Sequence, residues 1–261
     1  MAVVARAVGG PAALSIRPDL AFHAASTMKV PVLAELWRSA AAGSCSLDEP
    51  IVVRDLFASL LDGSAYRLDP ADDSEASLYG RLGEAVDARE LARLMIVRSS
   101  NLATNLLVDR LGATAVDAGL RELGVGGLRV LRGVEDTAAF RAGLNSTVTA
   151  EGLARLLELL AGGAVVSPAA SAEMLEILAA QELNDGIPAG LPAGTRVAHK
   201  TGSVTRLFHD AGVVSPVGAP PYVLVVLTAG LEEHGDGPAL VASIAREVHA
   251  VLAPGEGDDP A

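Results

Sequence analysis

Strand-like segments at both ends of this 261-residue chain bracket a long helical middle, and that order constrains the fold more than any single stretch does. Ala2 to Val8 and Ala12 to Arg17, on either side of the turn signal Gly9-Gly10-Pro11, predict a hairpin. Towards the other end, Thr195 to His199, Phe208 to Ser215 and Pro221 to Ala229 predict strands of a meander, and Pro238 to Leu252 an amphipathic helix that packs on it. The expected fold is α+β: an antiparallel sheet completed by both chain ends, with a helical subdomain inserted between them. The expected bounds are 1–25 and 195–254 for the sheet, 26–194 for the mostly helical part, and 255–261 for a disordered acidic tail.

Within the middle, Ser26 to about Ala41 is apolar on most sides (Val30, Val32, Leu33, Leu36, Trp37), which predicts a buried central helix, with Pro31 tolerated near its start. Gly43 to Glu84 is irregular and rich in Asp, Ser and Gly, with one short helix expected around Leu56 to Leu61. Asp87-Ala88-Arg89-Glu90 reads as a capping box opening a helix through Ile96. Ser99-Ser100-Asn101 interrupts it before a second helix, Leu102 to Leu111, ended by Gly112, and Thr114 caps a third, to about Leu123. Gly124 to Ser146 is a long loop of the kind that carries function. Thr149 to Ala161 and Pro168 to Ala180 are helical, the second introduced by Ser167.

A net charge of −12 argues against a nucleic-acid or anionic-membrane partner, since both require a basic surface. The acidic run Asp69 to Glu75 reads as a solvated loop. No apolar run is long enough to span a bilayer. Cys45 is the only cysteine, which excludes an intrachain disulfide. The five histidines show no metal-ligand spacing, so neither a metal nor a cofactor is expected. The first residues lack the arrangement of a signal peptide, so the chain as written is expected to be cytoplasmic, and exported if its start is truncated or misassigned.

Three short patterns carry the chemistry. In Ser26-Thr27-Met28-Lys29, three-residue spacing at a helix start puts the lysine amine on the same face as the serine hydroxyl. A serine is a weak nucleophile without a neighbouring base, and a lysine becomes one only when burial or positive charge lowers its pKa. Alone, S-x-x-K equally describes a helix cap beside a solvated lysine. It is followed, however, by Ser99-Ser100-Asn101 at an interhelical break and by Lys200-Thr201-Gly202 at the end of a strand. S-x-x-K, S-x-N and K-T-G in that order are the signature set of penicillin-recognising serine enzymes.

The chain resembles the class A β-lactamase-like serine hydrolase family over nearly its whole length, including Ala103-Thr104-Asn105-Leu106-Leu107 after S-x-N and His199-Lys200-Thr201-Gly202-Ser203. The resemblance implies the β-lactamase/penicillin-binding transpeptidase fold, an α/β sandwich. It implies that Ser26 is acylated, that Lys29 accepts or relays its proton, and that Ser99 with Lys200 passes a proton to the leaving nitrogen. Asn101 would hydrogen-bond Lys29 and the substrate amide, Lys200 and Thr201 would hold a substrate carboxylate, the N–H groups of Ser26 and Ser203 would form the oxyanion hole, and Gly202 is counted with the substrate-binding residues.

Hydrolysis also needs a base for water, and the family uses a glutamate on the loop after the second motif. Glu135 stands near that position, but two residues rather than one separate it from Arg132, and Ala139 stands where asparagine is expected. Asn145-Ser146-Thr147 offers no acidic partner to Arg132, so pairing of Glu135 with Arg132 remains the alternative. Position 100 is serine where the family has aspartate. Arg206 is a candidate extra guanidinium for the carboxylate. A His209-Asp210 triad with serine is disfavoured, because adjacent strand residues face opposite ways. The favoured function is hydrolysis of a small-molecule β-lactam. A D-alanyl peptidase, an esterase, or a penicillin sensor that stays acylated are the rivals, and no obligate protein partner is inferred.

Overall fold

The computed structural model describes residues 1–233 and 235–254, so the expected acidic tail 255–261 and His234 lie outside the described residues. In chain order the elements are β1 (Ala2–Ala7), β2 (Ala12–Ile16), β3 (Phe22–His23), a 3-10 turn (Ala25–Met28), α1 (Lys29–Ala41), β4 (Pro50–Val52), β5 (Leu56–Ala58) and β6 (Ala65–Arg67). A second 3-10 turn (Ala76–Arg81), β7 (Ala85–Asp87), α2 (Ala88–Val97), α3 (Asn101–Leu111), α4 (Ala113–Glu122), α5 (Thr137–Arg141) and β8 (Thr147–Val148) follow. The chain closes with α6 (Ala150–Ala161), α7 (Pro168–Ala179), a 3-10 turn (Ile187–Gly190), β9 (Arg196–Val204), β10 (Leu207–Ser215), β11 (Tyr222–Leu227) and α8 (Asp236–Leu252). These elements form two compact units: Met1–Thr27 together with the described residues from Val148 onward, and Met28–Thr147.

The first unit is built on a five-stranded antiparallel sheet in the order β2-β1-β11-β10-β9, so both chain ends do complete one sheet. The central strand, Tyr222-Val223-Leu224-Val225-Val226-Leu227, is buried at every residue, as a strand covered on both faces must be. On one face Val241, Ala245 and Val248 of α8 meet Val3, Ala5, Leu224 and Val226. The alternate residues of β1 face α6, where Arg6 pairs with Glu151 and Glu158. Helix α7 packs on β9. Helices α6 and α7 pack on the sheet and lie in its unit, and the other unit runs Met28–Thr147.

In the second unit α1 is buried from Lys29 through Trp37 and packs against α2, α3 and α4, the arrangement its all-round apolar surface requires. Two small antiparallel ladders accompany the helices, β4 with β7 and β5 with β6. The helix expected around Leu56 to Leu61 is instead the start of a hairpin: Leu56, Phe57 and Ala58 pair with Arg67, Tyr66 and Ala65. Their exposed-buried-exposed pattern has the period of two, and three residues are too few to reveal it in the sequence. Asp87 precedes α2 but its side chain makes no capping bond, and Gly112, not Thr114, precedes α4. Among the described residues no helix is long and apolar enough to cross a membrane, and no cluster of His, Cys, Asp or Glu is arranged to hold a metal ion.

Candidate active site

Within Met28–Thr147 the candidate residues converge on Lys29, which is fully buried at the first position of α1. Its Nζ donates to the Ser99 carbonyl oxygen at 2.7 Å, to Ser99 Oγ at 3.1 Å and to Asn101 Oδ1 at 3.0 Å. Three acceptors match the three N–H groups of an ammonium, so the charged form is satisfied although buried. Burial nevertheless outweighs the nearby Asp73 and Glu135 carboxylates and lowers the lysine to about 7.

Ser99 and Asn101 reach this amine because the chain breaks between α2 and α3. Ser99 takes a left-handed backbone, φ 57°, and Ser100 caps α3 by accepting from Ala103 N at 3.1 Å. The remaining orphan amides of that helix start are met from elsewhere in the unit. The Asp73 carboxylate accepts from Asn101 N at 3.0 Å and Leu102 N at 2.8 Å, and Ser100 Oγ lies 3.5 Å from it. Asp73 is buried, in contrast to the solvated acidic loop expected for Asp69 to Glu75. The sequence carries no local sign of this role, since its partners lie 28 and 29 residues away.

Glu135 accepts from Asn101 Nδ2 at 2.7 Å and has a φ of 63°. Burial raises its carboxyl above the usual range, against the opposing hydrogen bond from Asn101. It does not pair with Arg132. That guanidinium turns to the Leu144 carbonyl at 2.9 Å, the Gly133 carbonyl at 2.8 Å and Asn145 Oδ1 at 3.0 Å, so an amide occupies the place of the missing acidic partner. Asn105 clasps the neighbouring peptide, accepting from Val134 N at 2.6 Å and donating to Val134 O at 3.0 Å. A Cβ on Gly133 would lie 2.2 Å from the same Asn105, so this close approach requires glycine.

In the unit that contains the sheet, half-buried Ser26 lies in the 3-10 turn that leads directly into α1. Ala25 enters that turn with φ 45°, and Thr27 Oγ1 donates to the Ala24 carbonyl at 2.6 Å. The K-T-G triplet is inside β9 rather than at a strand end. Lys200 is buried there with its Nζ donating to Thr201 O at 3.0 Å, and Ser203 lies exposed beyond Gly202. Gly202 runs against the backbone of Ser26 and Thr27: a Cβ there would lie 3.1 Å from Ser26 N and 3.0 Å from Thr27 N.

His209 of β10 meets β3, just ahead of that turn. Burial lowers its imidazole to about 4, so it is neutral; its Nδ1 accepts from Thr228 N at 3.1 Å and its Nε2 meets the His23 carbonyl at 3.0 Å. Asp210 points the other way, to His199 Nδ1 at 2.9 Å and Ile187 N at 2.8 Å, so His209 and Asp210 do not form a triad. Arg206, in the β9–β10 turn, donates from Nε to the Leu231 carbonyl at 2.8 Å.

Comparison with known proteins identifies relatives of this chain. The model of a family described as the beta-lactamase enzyme family matches residues 1–252. A beta-lactamase of Streptomyces albus G is 33% identical over 170 residues, 62% of this chain and 54% of that protein, so the match spans about half the length of that relative. The structure of PBP-A is similar with a TM-score of 0.82 at 27% identity, covering 96% of this chain and 88% of that one. The beta-lactamase from Sphaerobacter thermophilus DSM 20745 has a TM-score of 0.80 at 26% identity, with coverages of 96% and 90%.

Proposed function

The chain belongs to the beta-lactamase enzyme family, and we propose that it opens a β-lactam through an acyl-enzyme on Ser26 and then hydrolyses it. The observation that carries this reading is Lys29, an amine lowered to about 7 and ringed by Ser99 and Asn101. At neutral pH a large share of it is the free amine, which is what a general base for a serine requires.

Ser26 Oγ attacks the carbonyl carbon while its proton passes to Lys29, three residues on in the same helical run. The N–H groups of Ser26 and Ser203 take the oxyanion charge, and Lys200 and Thr201 hold the substrate carboxylate. The C–N bond breaks as Ser99 delivers a proton to the nitrogen and is reprotonated from Lys29. Glu135 then removes a proton from water as it attacks the ester carbonyl, and as the C–O bond to Ser26 breaks that proton passes from Glu135 to Ser26 Oγ, restoring both groups. A carboxyl raised by burial is a stronger base once ionised, which suits Glu135 to that step.

The test is time-resolved mass spectrometry of the protein with benzylpenicillin, alongside Ser26→Ala and Glu135→Gln. A transient adduct on the unmodified protein, absent from Ser26→Ala and persistent on Glu135→Gln, is expected. A persistent adduct on the unmodified protein would favour a D-alanyl peptidase, an esterase or a penicillin sensor, and no adduct with intact lactam would overturn lactam recognition.

A further inference from the structure

We propose that the β5–β6 hairpin is a positioning element for hydrolysis, a strap that grips the chain on both sides of Glu135. On the far side, Ser59 Oγ donates to Asp136 Oδ1 and Leu60 N to Asp136 Oδ2, each at 2.8 Å. On the near side, Tyr66 Oη donates to the Val134 carbonyl at 3.3 Å and accepts from Asn105 Nδ2 at 3.2 Å. The hairpin is itself closed by Ser59 N to Ser64 O at 2.8 Å and Gly63 N to Ser59 O at 2.9 Å, so its two grips keep a set separation.

Asp136 is buried, and its hydrogen bonds from Ala139, Leu60 and Ser59 overcome the opposing effect of burial and hold it below the usual carboxylate range. It is therefore a charged anchor, which makes the Ser59 and Leu60 bonds the strong kind. A non-glycine residue at φ 63° persists where its surroundings over-determine it. Arg132 does not do this for Glu135, because its bonds go to residues 133, 144 and 145 at the base of the loop. A cavity of about 250 Å³, lined among others by Phe57, Leu60 and Tyr66 on one side and Val108 and Leu131 on the other, lies beside these grips.

The strap rests on the reading of Glu135 as the base for water. It acts through Glu135 and leaves Lys29 and Ser99 alone, so it predicts a split between the two half-reactions. The test compares Ser59→Ala/Tyr66→Phe, Tyr66→Phe alone and Glu135→Gln, measuring acylation by benzylpenicillin and decay of the adduct in single turnover, with thermal melts as a folding control. In the double variant, acylation unchanged and deacylation slower by roughly 10- to 100-fold is expected, the scale of a catalytic group displaced by about 1 Å. Tyr66→Phe, which keeps the ring and loses only the hydroxyl, is expected to show the same split to a smaller degree. Slow deacylation in Glu135→Gln with ordinary deacylation in both hairpin variants overturns the strap alone, as does an equal fall in both steps. Ordinary deacylation in Glu135→Gln overturns the reading of Glu135, and the strap with it.

Discussion

Asn101 Nδ2 donates to Glu135 Oε1 at 2.7 Å, and the same amide accepts from Lys29 Nζ through Oδ1 at 3.0 Å. A carboxylate only accepts and an ammonium only donates, so the two partners fix which way the amide points. Asn101→Asp removes the donor and sets a second carboxylate beside Glu135. Repulsion is expected to raise Glu135 further and to raise Lys29 through the added negative charge. Both half-reactions then require higher pH, each by about one unit or more. Single-turnover rates measured across pH are the check, and an unshifted profile would contradict the proposed coupling.

With Lys29 as the proposed base, its lowered pKa is expected to set the acid side of acylation. If the free amine is the base, the acylation rate rises about tenfold per pH unit below 7 and levels off above it. The linked effect on stability has a definite sign. Between about 7 and the ordinary lysine value near 10.4, the unfolded chain binds more protons than the folded one, so stability rises with pH in that window. Lys29→Met is expected to remove that slope as well as acylation, which chemical denaturation at pH 7 and pH 9 would show.

Asp73 serves two ends at once, filling the start of α3 and adding negative charge near Lys29. Asp73→Asn keeps one acceptor and loses the charge. The fold is expected to weaken by about 1–3 kcal/mol, as for a lost hydrogen bond to a charged group. Since the carboxylate raises Lys29, its removal lowers the amine further, and the acid limb of acylation moves to lower pH. A purely structural role would move the melting temperature and leave that limb in place.

Much of this was legible in the sequence because it depends on spacing that a helix or strand enforces. The apolar surround of Val30 to Trp37 announced a buried helix, and the strands at both ends announced one sheet. What escaped depends on partners distant in the chain. Asp73 reads as one more exposed acid until Asn101 and Leu102 supply amides to it. The assignment of α6 to the sheet rests on contacts that no local pattern encodes. Spacing of three between Arg132 and Glu135 would imply a pair on a helix, but the chain is irregular there and φ 63° turns Glu135 to Asn101 instead. The hairpin of Ser59 and Tyr66 stayed hidden because its strands are three residues each.

Substitution of Gly202 is expected to separate stability from catalysis. It lies in β9, where an alanine adopts the backbone without penalty, yet its Cβ would press on Ser26 N at 3.1 Å and on Thr27 N at 3.0 Å. The atoms pressed are backbone of the turn that carries Ser26, so relief comes only by shifting that turn by a few tenths of an ångström. The cost to the fold is about 1 kcal/mol, the low end of overpacking. The cost to acylation is larger, because donors to an oxyanion act only when already in place, and removing one lowers kcat by roughly 10²- to 10³-fold. Gly202→Ala is therefore expected to fold with a melting temperature only a few degrees lower and to acylate roughly 100-fold more slowly. Equal losses in stability and rate would show instead that the contact with Ser26 serves packing alone.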